Sequence, residues 1–180
     1  MMNSCCYPEM PPLGWLLPRH IDWLRASGVP MSAIVEPQPV RLSHGFRAAD
    51  GRFDPDPSGP DWFVFAEPED LVFWRPKTSE LATWTGRSFA LGEAVIGNAA
   101  TFSFGNALHL YASPLDWLRA GRDGTVVLDW RHAFDRLRDC PRIAVDDRLL
   151  PIYRRHMRPA RMPDVFLLEA AQQRNHRRSA

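Results

Sequence analysis

Apolar residues change their spacing once along this chain, near residue 107, and the change predicts two kinds of structure. Before it, aromatic and β-branched bursts are separated by Gly, Pro and Asp, the pattern of strands joined by tight turns. Strands are predicted near 39–46, 62–66, 71–75, 81–84 and 88–91, as an antiparallel meander. The stretch "DGRFDPDPSGPD" (50–61) is the loop expected to be most mobile. Ahead of the meander, "PRHIDWLRASG" puts Ile21 and Leu24 three apart, Pro18 at a helix start and Gly28 past its end. A short helix over 18–27 follows from that arrangement. The opening "MMNSCCYPEMPPLG" is polar, proline-punctuated and aperiodic, and reads as a loose arm.

From residue 107, apolar runs of strand length alternate with helical patterns. The strands are "ALHLYA" (107–112), "TVVLDW" (125–130), "RIAV" (142–145) and "DVFLL" (164–168). The helices are "PLDWLRAG" (114–121), "RHAFDRLRD" (131–139) and "RLLPIYRRHM" (148–157). Near-continuous apolar strands suit a parallel sheet covered on both faces. The expected class is therefore α/β, or α+β overall: an N-terminal helix and antiparallel β-meander followed by a small parallel β-α-β sheet. The expected organisation is an arm over 1–14, helix plus meander over 15–106, an α/β part over 107–170 packed against it, and a basic tail over 171–180.

Composition places the chain among ordinary soluble proteins. Of its 180 residues 45% are apolar and seven are tryptophan, enough to fill a core, and the net charge is only +1. That charge is unevenly spread: residues 151–180 carry seven arginines against Asp164 and Glu169, leaving the rest net acidic. Cys5, Cys6 and Cys140 form neither a disulfide framework nor a metal knuckle and read as free thiols. No apolar run has the length of a signal peptide or a membrane span, so no membrane partner and a cytoplasmic location are expected. Arginine outnumbers lysine 21 to 1.

The letters DWLRA occur twice, at 22–26 and 116–120. In the second copy Ser113 can cap a helix, Pro114 fits its first position, and Asp116 sits at the positive end of the helix dipole, with Gly121 after the end. The first copy has Asp22 early and Arg25 and Gly28 late. Flanking sequence shows no further identity, which favours two similar capped helices over a duplicated unit.

The second copy also follows a strand, and parallel α/β sheets bind ligands beyond the carboxyl ends of their strands. Asp129, Asp146 and Asp147 stand at such ends and Asp116 one turn into a helix, so these four are the candidate catalytic or Mg²⁺-binding residues. The alternative is that they are helix caps and solvated loop acids.

The stretch "LHLYASPLDWLRAGRDGTVVLDW", with "RIAVDDRLLPIYRRHM" after it, resembles the Toprim domain of bacterial primases, topoisomerases and mobile-element proteins over about residues 90–168. Leu115 and Asp116 stand where that family has a hydrophobic residue and an Asp after its Glu-Gly turn. Gly121 or Gly124 stands where its first helix ends. The resemblance implies Mg²⁺ carboxylates serving phosphoryl or nucleotidyl transfer. The family Glu, however, is Ala112 here, its Gly is Ser113, and its Asp-x-Asp is Asp146-Asp147-Arg148, lacking the second acid. The resemblance therefore implies a degenerate, non-catalytic relative with no confident catalytic residue and at most weak Mg²⁺ binding.

For nucleic acid, DNA or RNA, the candidate contacts are Arg154, Arg155, Arg158, Arg161, Arg174, Arg177 and Arg178, whose guanidinium groups suit phosphate. A solvated basic face is the alternative. The aromatics of 61–84 are expected in the core rather than stacked on bases. The six histidines show no metal-ligand spacing, and no glycine-rich phosphate loop is present. Three readings follow. The first is a Toprim-like accessory protein of replication or mobile-element transactions, with nucleic acid or a protein of that machinery as partner. The second is a protein-interaction module, and the third a Mg²⁺-dependent phosphotransferase or nuclease with a rearranged acidic site.

Overall fold

The computed structural model describes residues 10–159. Strand β1 (Gly14–Trp15) is followed by helices α1 (Pro18–Ala26) and α2 (Met31–Val35), then strands β2 (Arg41–Arg47), β3 (Phe53–Pro55), β4 (Asp61–Glu67), β5 (Asp70–Arg75) and β6 (Glu80–Thr83). The remainder runs β7 (Ala90–Leu91), β8 (Leu108–Leu110), α3 (Pro114–Arg119), β9 (Val126–Val127), α4 (Ala133–Leu137), β10 (Ile143–Val145) and α5 (Leu150–His156), with short 3₁₀ turns between. The class is mixed α/β, an antiparallel sheet with helices and a small parallel pair. The predicted strand over 164–168 lies outside the described residues, as do Cys5, Cys6 and the basic tail.

The antiparallel sheet has the order β1-β2-β4-β5-β6, with β3 also paired to β2. A bridge between Arg52 and Thr83 joins the start of β3 to the end of β6, so the sheet closes on itself as a small barrel. Alternation along β4 then has a clear meaning. Trp62 and Val64 point inward with Phe53, Leu71, Phe73 and Ala82. Phe63 and Phe65 point outward, beneath Leu24, Ala33 and Ile34 of the helices. Both faces are buried, and the aromatics are core as expected.

The stretch expected to be the mobile loop holds β3 instead. Phe53 stacks on Phe73 at 3.8 Å between ring centroids, 7° from parallel. Its Asp- and Pro-rich flanks disguise a strand that plugs the barrel. The arm over 1–14 is docked in its described part: Ser43 donates to the Pro12 carbonyl at 3.0 Å, and Arg41 to those of Gly14 and Leu13.

The expected strand at 88–91 does not extend the meander. As β7 it pairs antiparallel with β9, and Thr125 Oγ1 donates to the Leu91 carbonyl at 2.7 Å. In the C-terminal half β8 pairs parallel with β10, and Thr125 bridges to Leu110 in the parallel sense, so β8 lies between β9 and β10. Both halves share one apolar cluster, in which Trp117 and Leu118 of α3 meet Phe65 and Val72 of the barrel.

Polar ties reinforce that joint. Glu67, at the end of β4, accepts hydrogen bonds from the Gly92 and Glu93 amides at 2.7 and 3.1 Å, and burial pushes its carboxyl upward against those bonds. Arg122 adopts φ 64°, a left-handed conformation that non-glycine residues avoid. It donates to the carbonyls of Ala33 and Gln38 at 2.8 and 3.0 Å. Burial pushes its pKa down to about 10, with Glu67 opposing.

Candidate functional site

The parallel register Leu110 to Val145 sets the carboxyl ends of β8 and β10 side by side. From the first, Ser113 caps α3: its hydroxyl accepts from the Asp116 amide at 3.2 Å and donates to Asp116 Oδ2 at 2.7 Å. From the second, Asp146 leads into a 3₁₀ turn and caps it by accepting from the Arg148 amide at 3.0 Å. Asp116 and Asp146 therefore converge, as the strand-end rule anticipates.

Between them lies a cation supplied by the chain itself. Arg148 Nη2 is 2.6 Å from Asp116 Oδ2 and 2.6 Å from Asp146 Oδ2, and its Nε donates to Asp146 Oδ1 at 3.0 Å. Arg119 adds a contact to Asp116 Oδ1 at 3.2 Å. Hydrogen bonds from the Arg148 side chain and amide draw the Asp146 carboxyl down to about 2. At Asp116 partial burial works upward, yet bonds from Arg148 and Ser113 outweigh it and the carboxyl also falls below its usual range. Both acids are thus held ionised by a guanidinium.

Asp129 and Asp147 do not join this pair. Asp129 caps the turn after β9 and is engaged by Arg131 at 2.8 and 2.9 Å and by His132 at 3.1 Å. The Arg131 bonds hold its carboxyl far below the ordinary range. Asp147 is exposed in the turn before α5. Among the described residues, no group of three or more His, Cys, Asp or Glu is arranged to hold a metal ion. The donor set at Asp116 and Asp146 does not fit Mg²⁺, because a hard divalent ion needs six oxygens, whereas Arg148 already takes three of the four carboxylate oxygens and Arg119 the fourth.

Of the arginines proposed for nucleic acid, Arg154 and Arg155 lie on α5 and Arg158 just beyond it, all exposed. Tyr153 and Met157 pack into the core of the C-terminal half, so the arginines face away from it. The neighbouring Asp139 and Asp146 pair with Arg138 and Arg148 instead. Arg161, Arg174, Arg177 and Arg178 lie outside the described residues.

A second polar cluster was not visible in the sequence. Asp61 Oδ2 is 2.9 Å from both Arg19 Nη2 and His20 Nε2, and its Oδ1 is 3.0 Å from His44 Nε2. Partial burial raises the Asp61 carboxyl, but the bonds from Arg19 and His20 prevail and leave it lowered. The signal is the cross-strand pairing of His44 with Asp61, which requires the β2–β4 register to be known.

No described helix is long and apolar enough to cross a membrane. No protein-family model, curated protein or solved structure matches the chain.

Proposed function

We propose that the chain is a non-catalytic, Toprim-like accessory protein of nucleic-acid transactions of the replication or mobile-element kind, which touches DNA or RNA through the arginines of α5 and the tail beyond it. The observation that carries the reading is the position of Arg148, within 2.6 Å of both Asp116 and Asp146. A site of this descent would use such carboxylates for Mg²⁺; here the permanent guanidiniums of Arg148 and Arg119 occupy them and Ala112 supplies no acid or base. Arg154, Arg155 and Arg158 offer an exposed basic face to a polyanion.

The test is a salt series of oligonucleotide binding by fluorescence anisotropy, with and without Mg²⁺. The affinity is expected to fall steeply between about 50 and 200 mM salt, and replacing all three arginines by alanine to lower the log–log slope by about 2–3. Absent or salt-insensitive binding overturns the nucleic-acid reading. Mg²⁺-dependent strand cleavage or nucleotidyl transfer overturns the non-catalytic one.

A further inference from the structure

A cavity of about 470 Å³ opens beside the Asp61 cluster, walled by His20, Trp23, Asp61, Phe63, Arg75 and Lys77. Its volume lies in the range of small-molecule sites. The walls divide into a flat apolar side and a cationic side. On the apolar side Trp23 of α1 is 41% exposed while the adjacent Leu24 is completely buried. Its indole meets Phe63 at 6.1 Å and Trp74 at 6.2 Å between centroids. An indole left open at a concave wall retains apolar surface that a flat ligand can cover.

The polar groups at the Asp61 end are spent. Both Asp61 oxygens are engaged by Arg19, His20 and His44. The His20 ring accepts from the Leu17 amide through Nδ1 and meets Asp61 through Nε2. No open nucleophile or base is left there, which argues for binding rather than turnover. At the other end Arg75 shares its charge with Glu80 at 3.1 Å. Lys77, the single lysine of the chain, is exposed at the wall and belongs to none of the ion pairs among the described residues. The cavity thus offers a ring-sized apolar wall and about one uncompensated positive charge.

We propose that this cavity binds a small aromatic carboxylate, its ring against the open face of Trp23, which Phe63 backs, and its carboxylate at Lys77 and Arg75. A single uncompensated cation suits a monoanion better than a phosphate monoester, which carries about two charges. The site is separate from the α5 arginines and stands or falls independently of the nucleic-acid reading.

Isothermal titration of the full chain with indole-3-acetate, neutral indole and adenosine 5′-monophosphate tests it. Saturable binding of indole-3-acetate is expected, about tenfold or more tighter than indole, and weakened about tenfold or more by Lys77→Met and by Trp23→Ala. Lys77 is exposed, so Lys77→Met is expected to keep the wild-type circular dichroism, stability and oligonucleotide binding; Trp23→Ala, which also loses contacts to Phe63 and Trp74, is expected to keep the circular dichroism and oligonucleotide binding at a lower stability. No saturable binding, equal affinity for indole, or unchanged affinity in Lys77→Met overturns the proposal. Preference for the monophosphate over the carboxylate overturns its ligand class.

Discussion

Arg119, in the second DWLRA segment, donates from Nε to the carbonyl of Ser27, the residue that closes the helix of the first, at 2.6 Å. The two segments therefore meet, though for unlike reasons. The second has Ser113 and Asp116 at its start, whereas the first has no acid in its first turn, and the Leu17 amide is met by His20. Asp22 lies too deep in α1 to serve the dipole as expected. Arg119→Ala is expected to lower unfolding stability by about 0.5–1.5 kcal/mol in urea titration, the worth of the exposed bond to Ser27 with a small addition from the surface ion pair to Asp116.

Arg122 offers a sharper test, because its backbone strain and its side-chain ties act in opposite directions. Arg122→Ala loses the bonds to Ala33 and Gln38 but keeps the left-handed backbone, and is expected to cost about 2–3 kcal/mol. Arg122→Gly loses the same bonds without the strain and is expected to be the more stable of the two by about 1 kcal/mol. Thermal unfolding of the pair measures the difference directly.

The Asp146–Arg148 contact predicts an acid limb. Because the folded-state pKa of Asp146 is drawn down to about 2, its contribution is complete above the unfolded carboxyl value near 3.9 and is lost as pH falls through about 2. Arg148→Ala is expected to return the Asp146 titration towards pH 4, followed by carboxyl-carbon NMR. An unmoved midpoint would show that the guanidinium does not hold this acid ionised.

Phe53 tests the barrel. Phe53→Ala opens a cavity beneath Phe73 and is expected to cost about 3–5 kcal/mol, while Phe104→Ala, at a fully exposed ring, is expected to stay within about 0.5 kcal/mol of wild type. Equal effects in chemical denaturation would remove the barrel interior as described.

These residues also mark how far the sequence could be read. Period and punctuation located β2, β4, β5, β6 and α1 within a few residues, since each carries enough apolar side chains to declare its own face. They missed β1 and α2, which are too short to show a period, and β3, whose single buried Phe53 sits among residues typical of turns. The candidate site was half legible. Strand-end logic placed Asp116 beside Asp146, but it also gathered Asp129, which turns back on Arg131. Arg148 was legible only as the residue in place of a second acid in Asp146-Asp147-Arg148; its bridge to Asp116 was not, because that reach spans 32 positions and depends on the parallel pairing of β8 with β10. The Asp61 cluster is hidden in the same way by the β2–β4 register.

Closure through Arg52 and Thr83 has a consequence for the order of events. The barrel is built from one uninterrupted stretch, residues 41–83, whereas the half that holds Arg148 draws on pairings between residues 90 and 145. A chain emerging from the ribosome can therefore complete the barrel before β10 has been synthesised. The later half can then condense on a finished surface, and Arg148 is the last member of its acid cluster to be synthesised.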